Sequence, residues 1–566
     1  MAGKRIVVIG GVACGPKAAA RIKRLAPDAD VTIIEKGELL SYAGCGLPFY
    51  LSGEVHDHNE LMATPTGVVR DTQFFQKVKG IRVLNKTLAQ SIDRENKVVH
   101  AISILSGESV ELPYDTLVLA VGSKYYVPPI PGTDLKGVHF LQTIEDAQKI
   151  RNQEREMAGK RAVIIGGGLI GIEVTEAFVR QGLQVTVIEK GETILGELFD
   201  PEVVHHVHGA LRAGGVDLKL STEVTTINGD DRGKVVGVTT TNGVIKADMV
   251  LIAVGVKPNT RMAEDAGLAL GETGAIRVDE QLRTSDPHIF AGGDCVENRH
   301  LVHGGAVYAP MGSTANKHGR VIADTICGVP SRFTGILGTI ICKAFSMNMA
   351  RTGLTEKEAK ERGYDVLTVL NPSPDKAHFL STANLIIIKF VVDRKTAKLL
   401  GAQIVGPGDV AKRIEIAISH MAAGGIVTDI GHYDLAYAPP FSPAMDNIIT
   451  TANIAGNKLA GIGNALSPIE VKAKMDAGED FLMLDVRSPQ EYEQMRIEDE
   501  RVKLIPLGKL RSALADLPRD KEIVAYCKIS LRGYEAERIL VGEGFTNVAY
   551  MDGGLVCWPY KKIVNA

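Results

Sequence analysis

Arg5-Ile6-Val7-Val8-Ile9-Gly10-Gly11-Val12-Ala13-Cys14-Gly15 opens the chain, and Ala162-Val163-Ile164-Ile165-Gly166-Gly167-Gly168-Leu169-Ile170-Gly171 repeats its plan further on. In both, a β-branched run with the look of a strand meets a glycine-rich turn and then a helix-like stretch. The glycines have separate tasks. The first reverses the strand sharply, the second admits a pyrophosphate to the backbone, and the third lets helix and strand pack closely. The phosphates then meet the unpaired N–H groups of the helix N-terminus. Gly10, Val12, Ala13 and Gly15 are the candidate contacts in the first turn, where Val12 replaces the middle glycine and makes the phosphate approach looser or reoriented. Gly166, Gly168, Leu169, Ile170 and Gly171 form the second turn, which is complete.

Each unit closes on a glutamate at the end of its next strand: Glu35, followed by Lys36, after Val31-Thr32-Ile33-Ile34, and Glu189 after Val185-Thr186-Val187-Ile188. A carboxylate accepts a hydrogen bond from a ribose 2′-hydroxyl and repels a 2′-phosphate. Glu189 therefore favours NADH over NADPH, a preference that the adjacent Lys190 tempers. A second repeat follows, Tyr114-Asp115-Thr116-Leu117-Val118-Leu119-Ala120-Val121-Gly122 against Ala247-Asp248-Met249-Val250-Leu251-Ile252-Ala253-Val254-Gly255. The two modules are thus duplicates of one architecture, with Gly122 and Gly255 at matching cofactor-side turns. In Ile289-Phe290-Ala291-Gly292-Gly293-Asp294, Asp294 lies just past a short strand and a Gly-Gly turn, placed to accept from a ribityl hydroxyl of a flavin.

At 566 residues the chain exceeds one hydrophobic core and implies about three or four domains. A net charge of −3 offers no basic field for nucleic acid or anionic lipid. The seven cysteines show no Cys-x-x-Cys pair and no regular spacing, which argues against a disulfide framework and against a metal site. The chain enters a strand within five residues, leaving no room for a signal peptide, and no apolar run approaches the ~18 residues of a membrane span, so the expected compartment is a reducing cytoplasm.

The expected fold class is α/β, with two Rossmann-like nucleotide-binding domains, an α+β domain and a small C-terminal α/β domain. Residues 1–115 and 250–327 are assigned to the flavin-binding domain and 116–249 to the NADH-binding domain. Residues 328–450 carry alternating strands and an apolar helix but no nucleotide motif, and read as an interface domain. A Gly-, Ala- and Asn-rich stretch at 451–465 reads as a linker, and 466–566 starts afresh with alternating α/β text.

Two cysteines stand out as sulfur chemists. Cys45, in Ser41-Tyr42-Ala43-Gly44-Cys45-Gly46-Leu47-Pro48, emerges close after Glu35 with an open thiol. A flavin and a helix start beside it would lower its pKa toward the reactive thiolate. No second cysteine lies three to five residues away, so turnover passes through a mixed disulfide, persulfide or sulfenate rather than an internal dithiol. Cys527 opens Cys527-Lys528-Ile529-Ser530-Leu531-Arg532-Gly533, a short strand-to-helix loop whose converging N–H groups, helix N-terminus and Arg532 stabilise a thiolate or persulfide. The alternative for either residue is a structural cysteine, and that is the assignment given to Cys14 and Cys295.

On these motifs, residues 1–450 resemble the single-cysteine pyridine-nucleotide disulfide reductases, in particular the coenzyme A-disulfide reductases, whose Ser-Phe-Ala-Asn-Cys-Gly-Leu-Pro motif matches Ser41 to Pro48. Residues 466–566 resemble a rhodanese domain through Asp485-Val486-Arg487, Ile505-Pro506-Leu507, the Cys527 loop and Asp552-Gly553-Gly554. The fusion is similar to NADH-dependent persulfide reductases. The resemblance implies FAD at the first module, NADH at the second, coenzyme A bound near Cys45, and a homodimer formed by the third domain. It makes Cys45 the redox cysteine and Cys527 the sulfur-carrying one, lets Ser41, Arg24 and Gly44 line the coenzyme A site, and matches Tyr437 to a tyrosine that reaches the redox cysteine from the partner subunit. Gly44 stands for the family's asparagine, and a second family tyrosine is lost at Ala377-His378-Phe379-Leu380. The expected activity is NADH-driven reduction of persulfide, polysulfide or coenzyme A disulfide. The alternatives are an NADH oxidase or peroxidase working through a cysteine sulfenate, and a sulfur carrier or redox sensor.

Overall fold

A computed structural model describes residues 3–154 and 159–565, which fall into two compact units, 1–190 with 215–336 and 191–214 with 337–566. The first unit holds two five-stranded parallel sheets. One runs in the order Ile289–Ala291, Thr116–Leu119, Arg5–Ile9, Asp30–Ile34, Arg82–Leu84; the other runs Asp217–Lys219, Gln184–Ile188, Arg161–Ile165, Met249–Ile252, Val138–His139. The continuous β-branched runs in the sequence are what a strand buried on both faces needs. Ile6–Ile9 and Ala162–Ile165 accordingly lie below the surface throughout.

The duplication extends to hydrogen bonds. Arg5 N–H donates to Asp115 at 2.7 Å and Arg161 N–H to Asp248 at 3.0 Å, each joining the first strand of its sheet to the phrase that repeats. Two expected boundaries shift as a result. Thr116–Leu119, assigned from sequence to the NADH-binding domain, pairs with Ile6–Ile9 in the first sheet, and the division at 249/250 cuts through Met249–Ile252 of the second. A parallel sheet recruits its next strand from far along the chain, so a linear division misplaces the crossover strands.

The second unit contains an antiparallel sheet in the order Ile340–Ala344, Met347–Gly353, Leu399–Gly406, Leu385–Asp393, Val366–Pro374, packed against helices Ala411–Ala423 and Asn447–Leu459. Helix Pro201–Ala213, also assigned from sequence to the NADH-binding domain, belongs to this unit. An ion cluster around the fully buried Lys389 ties it there: its Nζ lies 3.0 Å from Asp200, 3.0 Å from Glu202 and 2.6 Å from Glu356. A buried cation persists only when paired this completely. The C-terminal domain is a parallel sheet of Ala465–Leu466, Val548–Met551, Glu522–Tyr526, Phe481–Asp485 and Val502–Leu504.

The linker expected at 451–465 is mostly helix Asn447–Leu459. Its small and polar residues hide a helical stripe, Ile448, Ala452 and Ala455, buried against the sheet. Packing on that face overrides a composition that favours loops. Among the described residues no helix is long and apolar enough to cross a membrane, and no group of His, Cys, Asp and Glu could hold a metal ion.

Candidate active sites

The two glycine turns have the same construction. Gly10 and Gly166 adopt φ +111° and +106°, and a Cβ at either would meet the carbonyl oxygen of Ala120 at 2.1 Å or of Ala253 at 2.5 Å. At Gly15 a Cβ would lie 1.9 Å from Gly10 O, and at Gly171 2.1 Å from Gly166 O, so both close contacts between helix and strand demand glycine. Gly168, by contrast, has nothing within 4 Å and opens helix Leu169–Arg180, a cradle a phosphate can fill. Val12 and Ala13 are half-buried before helix Cys14–Leu25, while Leu169 and Ile170 begin the second helix. Glu35 accepts from Gly11 N–H at 2.7 Å, and Glu189 from Gly167 N–H at 2.7 Å, which holds each carboxylate beside its turn. Lys36 is exposed. Gly122 and Gly255 adopt φ +65° and +106° with open space around them.

Cys45 sits in a short turn, Gly44–Gly46, and is exposed. A Cβ on Gly312, the first residue of helix Gly312–Ile326, would be 3.9 Å from its sulfur. Asp294 of the first module and Glu173 of the helix after the second turn both lie within electrostatic reach of the thiol. The lone cysteine is therefore where elements of the two dinucleotide modules converge.

The electrostatics correct one expectation. Although the residue is exposed, its sulfur is flanked closely enough that lost hydration, followed by the charges of Glu173 and Asp294, pushes the thiol up; only a backbone hydrogen bond opposes them. The chain's own groups thus do not lower the Cys45 pKa. Glu173 was not flagged in the sequence, because a single acid inside an apolar helix carries no motif; burial pushes it up. Burial also pushes Asp294 up to about 6.

The Asp294 turn is held from behind. His318, fully buried on helix Gly312–Ile326, accepts from Gly293 N–H through Nδ1 at 3.1 Å, and Tyr308 OH donates to the Asp294 carbonyl at 3.0 Å. Neither residue had a sequence signal. Ser41 adopts φ +51° and donates its N–H to Gly11 O at 2.8 Å, which couples the cysteine segment to the first turn. Gly44 is exposed with open space around it, and Arg24 is exposed in the last turn of helix Cys14–Leu25, the end away from the glycine turn. Tyr437 belongs to the second unit, in an irregular segment, with 54% of its surface exposed. Cys14 and Cys295 are buried, and desolvation pushes both thiols up, in keeping with packing roles.

Cys527 follows strand Glu522–Tyr526 and is fully buried at the base of its loop, ahead of helix Leu531–Gly542. Ser530 takes φ +91° to close the loop, and its Oγ accepts from Gly553 N–H at 2.6 Å. Leu555 N–H donates to Cys527 O at 3.0 Å, while a Cβ on Gly554 would meet that oxygen at 2.5 Å. Arg532 does reach Cys527, but it also grips Glu491 with two N–H groups at 2.8 and 2.6 Å, so its charge is shared rather than spent on the sulfur alone. That grip holds Glu491 down at about 2. Glu491 also caps helix Pro489–Gln494 through Ser488.

The sequence profile of the pyridine nucleotide-disulphide oxidoreductases matches residues 4–309, that of their dimerisation domain residues 340–449, and that of rhodanese-like domains residues 467–560. An NAD(P)H coenzyme A polysulfide/persulfide reductase of Pyrococcus horikoshii is 39% identical over 452 residues, 80% of this chain and 98% of its own. The structure of an NAD-dependent persulfide reductase from A. fulgidus is similar over 98% of this chain and 100% of its own, at 45% identity and TM-score 0.92. A reduced CoADR-RHD of Bacillus anthracis is similar over 99% of this chain and 98% of its own, at 32% identity and TM-score 0.92.

Proposed function

The chain belongs to the pyridine nucleotide-disulphide oxidoreductase family, and from that premise we propose that it is an FAD-dependent, NADH-driven reductase of persulfides and polysulfides, with coenzyme A as carrier thiol, that releases hydrosulfide. The observation that carries this reading is the solitary, accessible Cys45 at the meeting of both dinucleotide modules, in a chain that also ends in a rhodanese loop. Gly10, Gly15, Glu35 and Asp294 would hold FAD; Gly166, Gly168, Gly171 and Glu189 would hold NADH. FAD, when bound, carries the two electrons of NADH to sulfur.

As thiolate, Cys45 attacks the carrier sulfur of R–S–SH. The S–S bond breaks, hydrosulfide leaves with the electron pair, and a Cys45–carrier disulfide forms. Two electrons then cleave that disulfide, restoring Cys45 and freeing R–SH, for an overall balance of R–S–SH + NADH + H⁺ giving R–SH + H₂S + NAD⁺. Because Glu173, Asp294 and lost hydration all disfavour the Cys45 thiolate, the N-terminus of helix Gly312–Ile326, close to the sulfur, and that of helix Leu47–Leu51, which follows it in the chain, would supply compensating positive potential. Ser41, Gly44 and Arg24 would position the carrier. Tyr437 of a second copy would protonate the leaving group. Cys527 holds sulfane sulfur as a persulfide within its loop amides and relays it between donors and the carrier thiol.

The test is anaerobic NADH oxidation by the holoenzyme offered coenzyme A persulfide, polysulfide and coenzyme A disulfide in turn, with hydrosulfide recorded in parallel. Turnover with hydrosulfide release is expected. Silence with all three and activity only in air would replace this reading with an oxidase. Cys45→Ser should abolish persulfide reduction yet leave reduction of bound flavin by NADH intact, whereas Cys527→Ser should remove only sulfurtransferase activity.

A further inference from the structure

The rhodanese loop is braced by the neighbouring domain. Lys458, in the last turn of helix Asn447–Leu459, is almost fully buried, and its Nζ donates to Thr368 O at 2.8 Å and to Asp552 Oδ2 at 2.6 Å. The same carboxylate oxygen accepts from Leu370 N–H at 2.8 Å. Thr368 and Leu370 belong to Val366–Pro374, the edge strand of the antiparallel sheet, whose outward groups need partners when covered. Asp552 supplies one and Lys458 the other. A Cβ on Gly553 would stand 3.2 Å from Leu370 Cβ, so the two surfaces approach too closely there for a side chain.

From Asp552 the hydrogen bonds run directly to the sulfur loop. Gly553 N–H binds Ser530 Oγ at 2.6 Å, Leu555 N–H binds Cys527 O at 3.0 Å, and Val556 N–H binds Lys528 O at 3.0 Å. Three successive anchors of the Cys527 loop thus hang on a segment whose first residue is fixed by the other domain. Ser530, at φ +91°, occupies a conformation an L-residue keeps only when its surroundings impose it. Asp552 Oδ1 is buried without a partner, so loss of Lys458 would leave a buried carboxylate with a single N–H.

We propose that Lys458, through Asp552, is a positioning residue for the Cys527 loop, so that the dimerisation domain is a working part of the sulfurtransferase site and the rhodanese domain is a docked module rather than a tethered one. The inference rests on Cys527 being the sulfur carrier. When the docking is broken the anchors on Cys527 O, Lys528 O and Ser530 Oγ loosen, the loop loses its fixed shape around the sulfur, and transfer slows.

The test uses full-length holoenzyme and sulfur transfer from thiosulfate to cyanide, with Cys527→Ser as reference. Lys458→Met is expected to lower kcat at least tenfold with KM within twofold, to speed amide exchange across residues 527–533, and to leave NADH reduction of the flavin unchanged. Lys458→Arg, which retains a cation for Asp552, should recover most of the rate. Should Lys458→Met not accumulate as folded protein, Asp552→Asn carries the same readings, since it keeps an acceptor for Leu370 N–H and removes the ion pair. A folded variant with the kcat and exchange of the wild type overturns the inference. A wild type no faster than Cys527→Ser overturns the carrier assignment beneath it.

Discussion

His318 lies in no motif, yet it decides how the flavin-side turn responds to acid. Burial pushes its imidazole down to about 4, and as a neutral ring it accepts from Gly293 N–H beside Asp294. The folded state therefore binds fewer protons here than the unfolded chain between about pH 6.5 and 4, so stability is full above that window and falls as pH drops through it. At pH 5 the cost is on the order of 2 kcal/mol. Asp294, raised by burial, acts with opposite sign, because an acid with a raised folded pKa favours folding as pH falls. The comparison must hold Asp294 constant, and His318→Asn does so while keeping an acceptor for Gly293. Flavin retention, read from the fluorescence of released FAD at pH 7.5 and 5, should fall less in this variant than in the wild type. An equal fall in both would remove His318 from the account. Glu189 makes a second prediction at this scale. Glu189→Gln removes the carboxylate that repels a 2′-phosphate, so the ratio of kcat/KM for NADH over NADPH should shrink at least tenfold; an unchanged ratio would place the discrimination elsewhere.

Among elements, the two strand–turn–helix units separate what glycine does for folding from what it does for binding. Gly171→Ala would drive a methyl into Gly166 O, a backbone atom that cannot step aside, and should cost about 1–3 kcal/mol of stability. Gly168→Ala meets open space, so it should fold with an unchanged melting temperature and raise only the KM for NADH. If both variants lost stability alike, the phosphate cradle assigned to Gly168 would be wrong. These units were legible in the sequence because each glycine answers a local geometric demand, and the repeat of Asp115 by Asp248 doubled the signal. What was not legible depended on distant partners. Helix Asn447–Leu459 looked like a linker because Ile448, Ala452 and Ala455 acquire meaning only against a sheet built from other parts of the chain. That helix Pro201–Ala213 packs with the second unit could not be read from the sequence, because Glu202 shows no sign of Lys389, 187 residues away. Around the candidate sites, Cys45 and Cys527 stood out in the sequence by their flanking turns, whereas Glu173 and His318 come near the first of them, and Lys458 is joined to Asp552, only through folding.

At the scale of the whole molecule, the dimerisation domain leaves aromatic surface uncovered. Phe379 and Phe441 are each 69% exposed, and Tyr437 and Met445 each 54%. The Ala377 N–H to Pro439 O hydrogen bond joins the two segments that carry them. Large apolar groups gathered outside a core mark a surface for a partner, and in a domain of this family the fitting partner is a second copy. Phe441→Glu should shift the mass in light scattering from dimer to monomer and, on the proposal that Tyr437 serves the thiol of the other subunit, abolish persulfide reduction. The sharper consequence concerns which chain supplies which group. If Tyr437 acts across the dimer, Cys45→Ser and Tyr437→Phe proteins, each nearly inactive, should recover persulfide reductase activity when unfolded together and refolded as mixed dimers. The Tyr437→Phe subunit then contributes an intact Cys45, and its Cys45→Ser partner contributes the intact tyrosine. Were both groups drawn from one chain, no mixed dimer would contain a complete site, and activity would stay at the level of the separate variants.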